Sequence, residues 1–294
     1  MGNKILITGV DSFTGHHLSS FFKNHGYNVY GTSLTSSSEN IYKCDITIKE
    51  QVAKIIKIIQ PDYLIHLAGI SFAAHKDNNE YYRVNTIGSI NILDAIIEGN
   101  HSLKKIILVS SATVYGNQKI EVLDESLCCM PVNHYGLSKY AMECLSNAYF
   151  QKLNILIVRP FNYTGIGQSN DFLIPKIVSH FKNNAKTIEL GNLEISREFN
   201  DIGFVSEAYK RLIESDVKSK IINLASGRGV QLLSIIQHMN TIAKYEIEVS
   251  INERFMRRNE IYHLVGSSDL LFNLIGEVHQ KDISHTLRDI YDAY

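Results

Sequence analysis

Lys4-Ile5-Leu6-Ile7-Thr8 is a short, apolar, partly β-branched run that stops at Gly9, the pattern of a buried strand leading into a turn. Beyond Gly15, Leu18, Phe21 and Phe22 recur at i, i+3 and i+4, which predicts a helix ending near Gly26. Residues 28–31 predict a second strand, and the Ser- and Thr-rich stretch 32–38 predicts a loop. Ile48, Val52, Ile55, Ile56 and Ile59 are again helically spaced within 47–60, and Pro61 closes that helix. Strand-like runs return at 63–67, 106–110 and 155–158, with helical segments between them at about 80–98 and 135–151.

Strands alternating with helices predict an α/β architecture, a doubly wound parallel sheet covered on both faces. Beyond Arg159-Pro160 the pattern changes to loops rich in Gly and Asn, followed by a mixed region with a strand-like run at 220–224. Residues 1–160 are therefore read as the sheet domain, with a return of about 203–225, and 161–294 as a smaller lobe. No flexible linker marks the boundary, so the lobes are expected to be interleaved and closely packed.

Composition fits that picture. With 294 residues, 45% hydrophobic and 20% charged, the chain can build a substantial core. The 29 Lys+Arg against 30 Asp+Glu leave a net charge of −1, which gives no electrostatic reason to expect nucleic acid or an anionic membrane as partner. Cys44, Cys128, Cys129 and Cys144 match neither a disulfide framework nor a zinc spacing, so no metal is expected. Neither a long apolar span nor the h-region of a signal peptide is visible, and a soluble, reduced, cytoplasmic protein is expected.

Thr8-Gly9-Val10-Asp11-Ser12-Phe13-Thr14-Gly15 lies between the first strand and the first helix. There Gly9 permits the tight turn, Gly15 lets helix and strand approach, and the helix N-terminus offers N–H groups and a dipole to a pyrophosphate. Ser12 stands where such loops usually carry a middle glycine, so its side chain turns away from the phosphates or hydrogen-bonds them. An acid ending the second strand marks an NAD ribose site, but Thr32, Ser33 and Leu34 follow Gly31, with neither acid nor arginine. The hydroxyls of Thr32 and Ser33 favour NADP(H) by holding a 2′-phosphate, with NAD(H) as the alternative. Asp45 is read either as a partner of the adenine or as an acid at the start of the next helix.

Tyr135 and Lys139 stand at i and i+4, on one helix face. A cation one turn away stabilises a phenolate and pulls a phenol of ordinary pKa ~10 towards the range of useful proton transfer. Ser111 follows the strand-like run 106–110, at the carboxyl edge of the sheet where such folds place their ligands. Its hydroxyl would hydrogen-bond a carbonyl oxygen beside Tyr135. The plain alternative, a surface Tyr and Lys on an amphipathic helix, loses ground once the glycine loop and the order of the motifs are added.

Together these motifs resemble the extended short-chain dehydrogenase/reductases that act on nucleotide-sugars, and the resemblance covers essentially the whole chain. It is carried by the glycine loop, His66-Leu67-Ala68-Gly69, Val84-Asn85, the stretch from Ser110 to Gly116, the Tyr135/Lys139 pair and Arg159-Pro160-Phe161-Asn162. Residues 159–168, Arg197-Glu198-Phe199-Asn200-Asp201, and Met256-Arg257-Arg258-Asn259-Glu260 with Val265-Gly266-Ser267 look closest to the GDP-4-keto-6-deoxy-D-mannose reductases. The resemblance implies a Rossmann fold and a catalytic trio of Ser111, Tyr135 and Lys139. The cofactor would be held by Gly9, Ser12, Phe13, Thr14, Gly15, Thr32, Ser33, Asp45 and Ile46, then by Leu67, Ala68, Gly69, Asn85 and Ser110. Tyr135, Lys139, Pro160 and Asn162 would complete that surface. A nucleotide-diphosphate sugar would be held by Ser111, Thr113, Asn162, Lys176, Arg197 and Arg258, arginine suiting a diphosphate through its planar fork.

Two absences narrow the chemistry. Relatives that dehydrate the sugar carry an Asp-Glu pair where this chain has Ala112-Thr113, and relatives that epimerise C3 and C5 use a Cys near that strand end, where none stands. Reduction of a C4 ketone remains, with GDP favoured through the subgroup; a UDP-sugar 4-epimerase with tightly bound NAD is the alternative. The resemblance also implies a homodimer paired through the helices at 80–98 and 135–151.

Overall fold

The computed structural model describes residues 2–71, 77–255 and 261–294. Two compact units share the chain. One comprises Met1–Gly116, Cys128–Pro160 and Ala208–Ile222, and the other Asn117–Leu127, Phe161–Glu207 and Asn223–Tyr294.

The first unit is built on β1 (Lys4–Thr8), α1 (Phe13–Asn24), β2 (Asn28–Ser33), β3 (Ile41–Lys43), α2 (Lys49–Ile59) and β4 (Tyr63–His66). A helical run follows as α3 (Asn78–Tyr81), a π-helical stretch Tyr82–Ile87 and α4 (Gly88–Glu98). Then come β5 (Lys105–Val109), a 3₁₀ turn Ala112–Tyr115, α5 (His134–Ser146) and β6 (Ile155–Pro160). With the strand Lys220–Leu224 these form a seven-stranded parallel sheet in the order Lys220–Leu224, β6, β5, β4, β1, β2, β3. The chain is an α/β protein of Rossmann type. Order reverses beside β1, which pairs with β2 on one side and β4 on the other, and such a reversal opens a ligand crevice at the carboxyl ends of the strands.

Ile5, Leu6 and Ile7 are buried on both faces of β1, as a central parallel strand requires. The apolar stripe of α2 meets the sheet as its spacing predicts: Val52, Ile55, Ile56 and Ile59 join Leu6, Leu64, Ile92, Leu93 and Ile96 in one cluster. Each such side chain removed from water contributes roughly 1.5–3 kcal/mol.

Local details differ from the periodicity reading. Thr32 and Ser33 belong to β2 rather than to a loop, because they pair in parallel with Thr8 of β1 and Lys43 of β3. Backbone pairing on both sides overrides the polar composition there. The helix read at 80–98 begins at Asn78 and contains the π-helical stretch, a change of winding that a 3.6-residue pattern cannot show.

In the second unit the helices Leu173–Lys182, Leu232–Ala243 and Ile283–Ala293 bury Ile177, Phe181, Ile235, Met239 and Leu287 in a separate core. Residues 117–127 belong to this unit because Leu123 is stitched into it: its N–H donates to Val265 O at 2.8 Å and its carbonyl accepts from Ser267 N at 2.8 Å. Glu198 is fully buried, with Oε1 accepting from Gly266 N at 2.7 Å and Oε2 from Ser226 N at 2.8 Å. Among the described residues no helix is long and apolar enough to cross a membrane.

Candidate active site

The glycine loop is tight enough to exclude side chains at two points. Gly9 has φ 67°, and a Cβ there would lie 2.9 Å from Ala68 Cα; a Cβ on Gly15 would lie 2.4 Å from Gly9 O. Ser12 is the N-cap of α1, its Oγ accepting from Gly15 N at 3.1 Å, so its side chain folds back onto the helix end. Phe13 and Thr14 open the helix. Beyond β4 the segment 67–69 passes beside Lys139, in the middle of α5. A Cβ on Gly69 would lie 2.8 Å from Asn85 Oδ1 and 3.4 Å from Lys139 Nζ.

That crossing is anchored by a buried chain of hydrogen bonds that the sequence motifs do not reveal. Ala68 N donates to Thr8 Oγ1 at 3.2 Å, and Thr8 Oγ1 lies 2.7 Å from His66 Nδ1. His66 Nε2 lies 2.9 Å from Ser89 Oγ, whose hydrogen goes to Asn85 O at 2.7 Å. With that hydrogen engaged, Nε2 of His66 must donate to Ser89, and Nδ1 accepts from Thr8. Burial, with a smaller effect of the Lys139 charge, pushes the imidazole down to about 3, so it is neutral and singly protonated. Asn85 was expected to touch the cofactor, but it is fully buried and both hydrogens of its amide are engaged, with Ile70 O at 3.1 Å and Ser138 Oγ at 3.0 Å. Its Oδ1 accepts from Ile70 N at 2.8 Å, making it a clamp on the loop after β4.

Helix α5 carries Tyr135 and Lys139. Asn133 caps it by accepting from Gly136 N at 2.8 Å. Gly136 brings its first turn against the 3₁₀ turn after β5, where a Cβ would lie 2.9 Å from Thr113 O. Tyr135 is half-buried, its ring centroid 6.2 Å from that of Tyr81. Lys139 is buried and donates to Val109 O at 2.8 Å. Burial pushes its ammonium down to about 8, partly opposed by the charge of Glu143.

Ser111 follows β5 and accepts from Thr113 Oγ1 at 2.9 Å and Thr113 N at 3.2 Å. Two accepted bonds leave its own hydrogen as the donor. Ser110, expected at the cofactor, is buried and donates instead to Glu143 Oε1. Glu143 forms a two-pronged ion pair with Arg159, Nε to Oε1 at 3.0 Å and Nη2 to Oε2 at 2.7 Å. Arg159 Nη1 donates to Tyr115 OH at 2.9 Å, so β6, α5 and the turn after β5 are locked together.

Other expected positions lie deeper or face elsewhere. Thr32 and Ile46 are buried and line a small apolar cavity with Leu6, Cys44 and Ile56. Asp45 Oδ1 accepts from Thr47 N at 2.9 Å and Thr47 Oγ1 at 2.7 Å, the helix-start alternative for that residue. Leu67 and Ala68 are partly exposed, and Pro160 ends β6 buried. In the second unit Asn162 is exposed, and Arg197 is largely buried with Nη1 donating to Ser196 O at 3.0 Å. Lys176 Nζ donates to Glu189 O at 3.1 Å and lies 4.1 Å from the Phe255 ring centroid. Arg258 and the rest of the 256–260 motif lie outside the described residues. Among the described residues no cluster of His, Cys, Asp or Glu could hold a metal ion.

Residues 5–225 match the NAD dependent epimerase/dehydratase family. The chain belongs to that family. It is 35% identical over 290 residues to a GDP-6-deoxy-D-talose 4-dehydrogenase of Aggregatibacter actinomycetemcomitans, covering 98% of this chain and 97% of that one. It is 28% identical over 301 residues to a GDP-6-deoxy-D-mannose reductase of Pseudomonas aeruginosa, covering 99% and 96% of the two chains. The RMD protein of Pseudomonas aeruginosa, solved with NADPH, superposes with a TM-score of 0.86 at 26% identity, covering 100% of this chain and 97% of that chain. This member of the extended short-chain dehydrogenase/reductases is therefore an enzyme of oxidoreductase type.

The structure of this family member fits a nicotinamide dinucleotide. The capped start of α1 faces the turn at Gly9, an arrangement suited to a pyrophosphate. The side-chain-free backbone at Gly69 packs directly on Asn85 and beside Lys139, so the loop after β4 runs close along the ammonium. Lys139 gives one of its three hydrogens to Val109, and an ammonium has two more that could serve hydroxyl acceptors.

Proposed function

We propose that this enzyme reduces the C4 ketone of a nucleotide-diphosphate 4-keto-6-deoxy sugar, with the GDP-4-keto-6-deoxymannose type as preferred substrate. The observation that carries the reading is the placement of Lys139, buried one helical turn from Tyr135 and bonded to the last residue of β5, two residues before Ser111. A bound reduced nicotinamide would supply hydride to C4. Ser111 donates a hydrogen bond to the ketone oxygen and holds it towards Tyr135. Tyr135 gives its proton to that oxygen as negative charge develops, and the Lys139 ammonium stabilises the phenolate left behind. Ala112 and Thr113 offer neither acid nor base near neutrality, which supports a reaction without dehydration. The two curated relatives named above both bear names of GDP-6-deoxyhexose oxidoreductases, which supports the choice of sugar and nucleobase. Asn162, Lys176, Arg197 and Arg258 are the proposed contacts to the nucleotide-sugar.

The test supplies GDP-4-keto-6-deoxymannose with NADH or NADPH, follows coenzyme oxidation and identifies the product by NMR. Coenzyme consumed in proportion to a 6-deoxyhexose product supports the reading. Interconversion of UDP-sugars without net coenzyme consumption would replace it with the epimerase alternative.

A further inference from the structure

The end of β2 holds an arrangement that the motifs alone do not show. Ser33 Oγ donates to Asp11 Oδ2 at 2.5 Å, joining β2 to the glycine loop. The same oxygen accepts from Thr35 N at 3.2 Å, Ser36 N at 3.2 Å and Ser36 Oγ at 3.2 Å. A hydroxyl has one hydrogen, and that of Ser33 is engaged by a carboxylate; it has none left for a phosphate. Thr32 faces the apolar interior. Both hydroxyls that favoured a 2′-phosphate in the sequence are thereby withdrawn from that task.

What this edge presents instead is a carboxylate. Asp11 is exposed, Ser33 is buried, and the backbone bond from Val10 N to Thr32 O at 3.0 Å fixes the loop beside the strand end. We infer that Asp11, positioned by Ser33, takes the part usually played by an acid ending β2 and selects NAD(H) over NADP(H). The inference rests on the nicotinamide-dinucleotide reading of the site. In this fold the acid at the end of β2 accepts from the ribose 2′-hydroxyl, and Asp11 reaches the same corner from the neighbouring loop with one carboxylate oxygen to spare.

Charge decides against the phosphorylated coenzyme. A phosphate monoester brings about −1.5 to −2 charges at neutral pH. The residue after Ser33 is the exposed, apolar Leu34. The β2–β3 register sets the exposed Lys43 opposite Ser33, so one exposed ammonium stands against one anchored carboxylate. Among the described residues such a corner is near neutral, without the arginine fork that phosphate recognition ordinarily uses. The neighbour solved with NADPH shares 26% of its residues with this chain, which leaves room for the corner to differ.

The test measures dissociation constants of NADH and NADPH by fluorescence titration, and of 5′-AMP and 2′,5′-ADP by calorimetry, on the full chain. The expected result is tighter binding of NADH by about ten-fold or more, with the same order for the two adenosine fragments. Asp11→Asn should shrink that gap chiefly by tightening NADPH, and Ser33→Ala, which frees Asp11 to move, should shrink it in part. Thermal melts of both variants check that the fold is intact. NADPH binding as tightly as NADH, or a gap unchanged in Asp11→Asn, would overturn the inference while leaving the dinucleotide site in place. Binding of neither coenzyme would overturn the site reading and this inference with it.

Discussion

The ammonium of Lys139 donates to the carbonyl of Val109 at 2.8 Å, two residues before Ser111. One hydrogen bond thus ties the proposed proton-transfer helix to the strand that presents the proposed oxyanion partner. It also holds a cation in a place that burial makes costly.

That cost has a sign that can be measured. Burial lowers Lys139 to about 8 from an ordinary lysine value, so between roughly pH 8 and 10.5 the unfolded chain binds more protons than the folded one. Stability in the ligand-free protein should therefore gain from this group as pH rises through that window. Full development of the gain is worth about 3 kcal/mol. Lys139→Met should remove this contribution to the slope, keep the fold at least as stable near neutrality and abolish turnover. Chemical denaturation at a series of pH values, with and without the substitution, reads the difference.

Tyr135→Phe removes a hydroxyl and almost no volume. Turnover should fall by ~10²-fold or more, the usual size of a general-acid contribution, while the dissociation constant for NADH stays within about two-fold of the parent's. Turnover near the parent value would take Tyr135 out of the chemistry.

His66 is held neutral at about 3 by its burial, well below an ordinary imidazole. The unfolded chain takes up a proton there as pH falls below roughly 6.5, and the folded chain does not until about 3, so stability present above that window is lost on acidification. His66→Phe should flatten this acid limb. It should also cost about 2–4 kcal/mol near neutrality, because Thr8 and Ser89 each lose a buried partner. Urea denaturation at pH 7 and at pH 5 separates the two effects.

The glycine loop, the Tyr135/Lys139 pair and the stripe of α2 were legible because each is a local pattern whose meaning depends on neighbours in sequence. The loop between β1 and α1 reads directly from Gly9 and Gly15, and the structure shows backbone crowding at both. The roles of Asn85 and Ser110 were not legible. Both are polar residues beside the site, and only the fold shows their hydrogen bonds turned inward to Ile70, Ser138 and Glu143. Asp11 was hidden for the opposite reason: it occupies an unremarked loop position, and its meaning comes from Ser33, 22 residues away. Long-range partners of this kind carry no periodic trace.

Glu143 and Arg159 are both buried, with side chains 1% and 4% exposed, so breaking the pair leaves an uncompensated charge. Arg159→Met alone should cost roughly 3–5 kcal/mol, whereas Glu143→Met with Arg159→Met should cost clearly less than the two single changes added. A double-mutant cycle by denaturant unfolding tests this. Glu143 also opposes the burial effect on Lys139. Glu143→Gln should therefore lower the Lys139 value further and move the alkaline edge of activity to lower pH.

Gly136→Ala sets two effects against each other within one residue. In the first turn of a helix the change from Gly to Ala favours folding by less than the roughly 1 kcal/mol it is worth in a helix interior. Here the new Cβ would lie 2.9 Å from Thr113 O and 3.1 Å from Pro131 Cβ, and the first of these contacts is backbone that cannot rotate away. The first turn of α5 must then retreat from the turn after Ser111. Because Lys139 sits deeper in the helix, on its bond to Val109, the retreat should fall mainly on Tyr135. The expected outcome is a stability change within about 1 kcal/mol, since gain and clash offset, together with a fall in kcat of ~10-fold or more from misplacement of the phenol. NADH affinity should hold, which separates a displaced Tyr135 from a collapsed cofactor cradle. An unchanged kcat would mean that the close approach of Gly136 to Thr113 does not govern where the phenol stands.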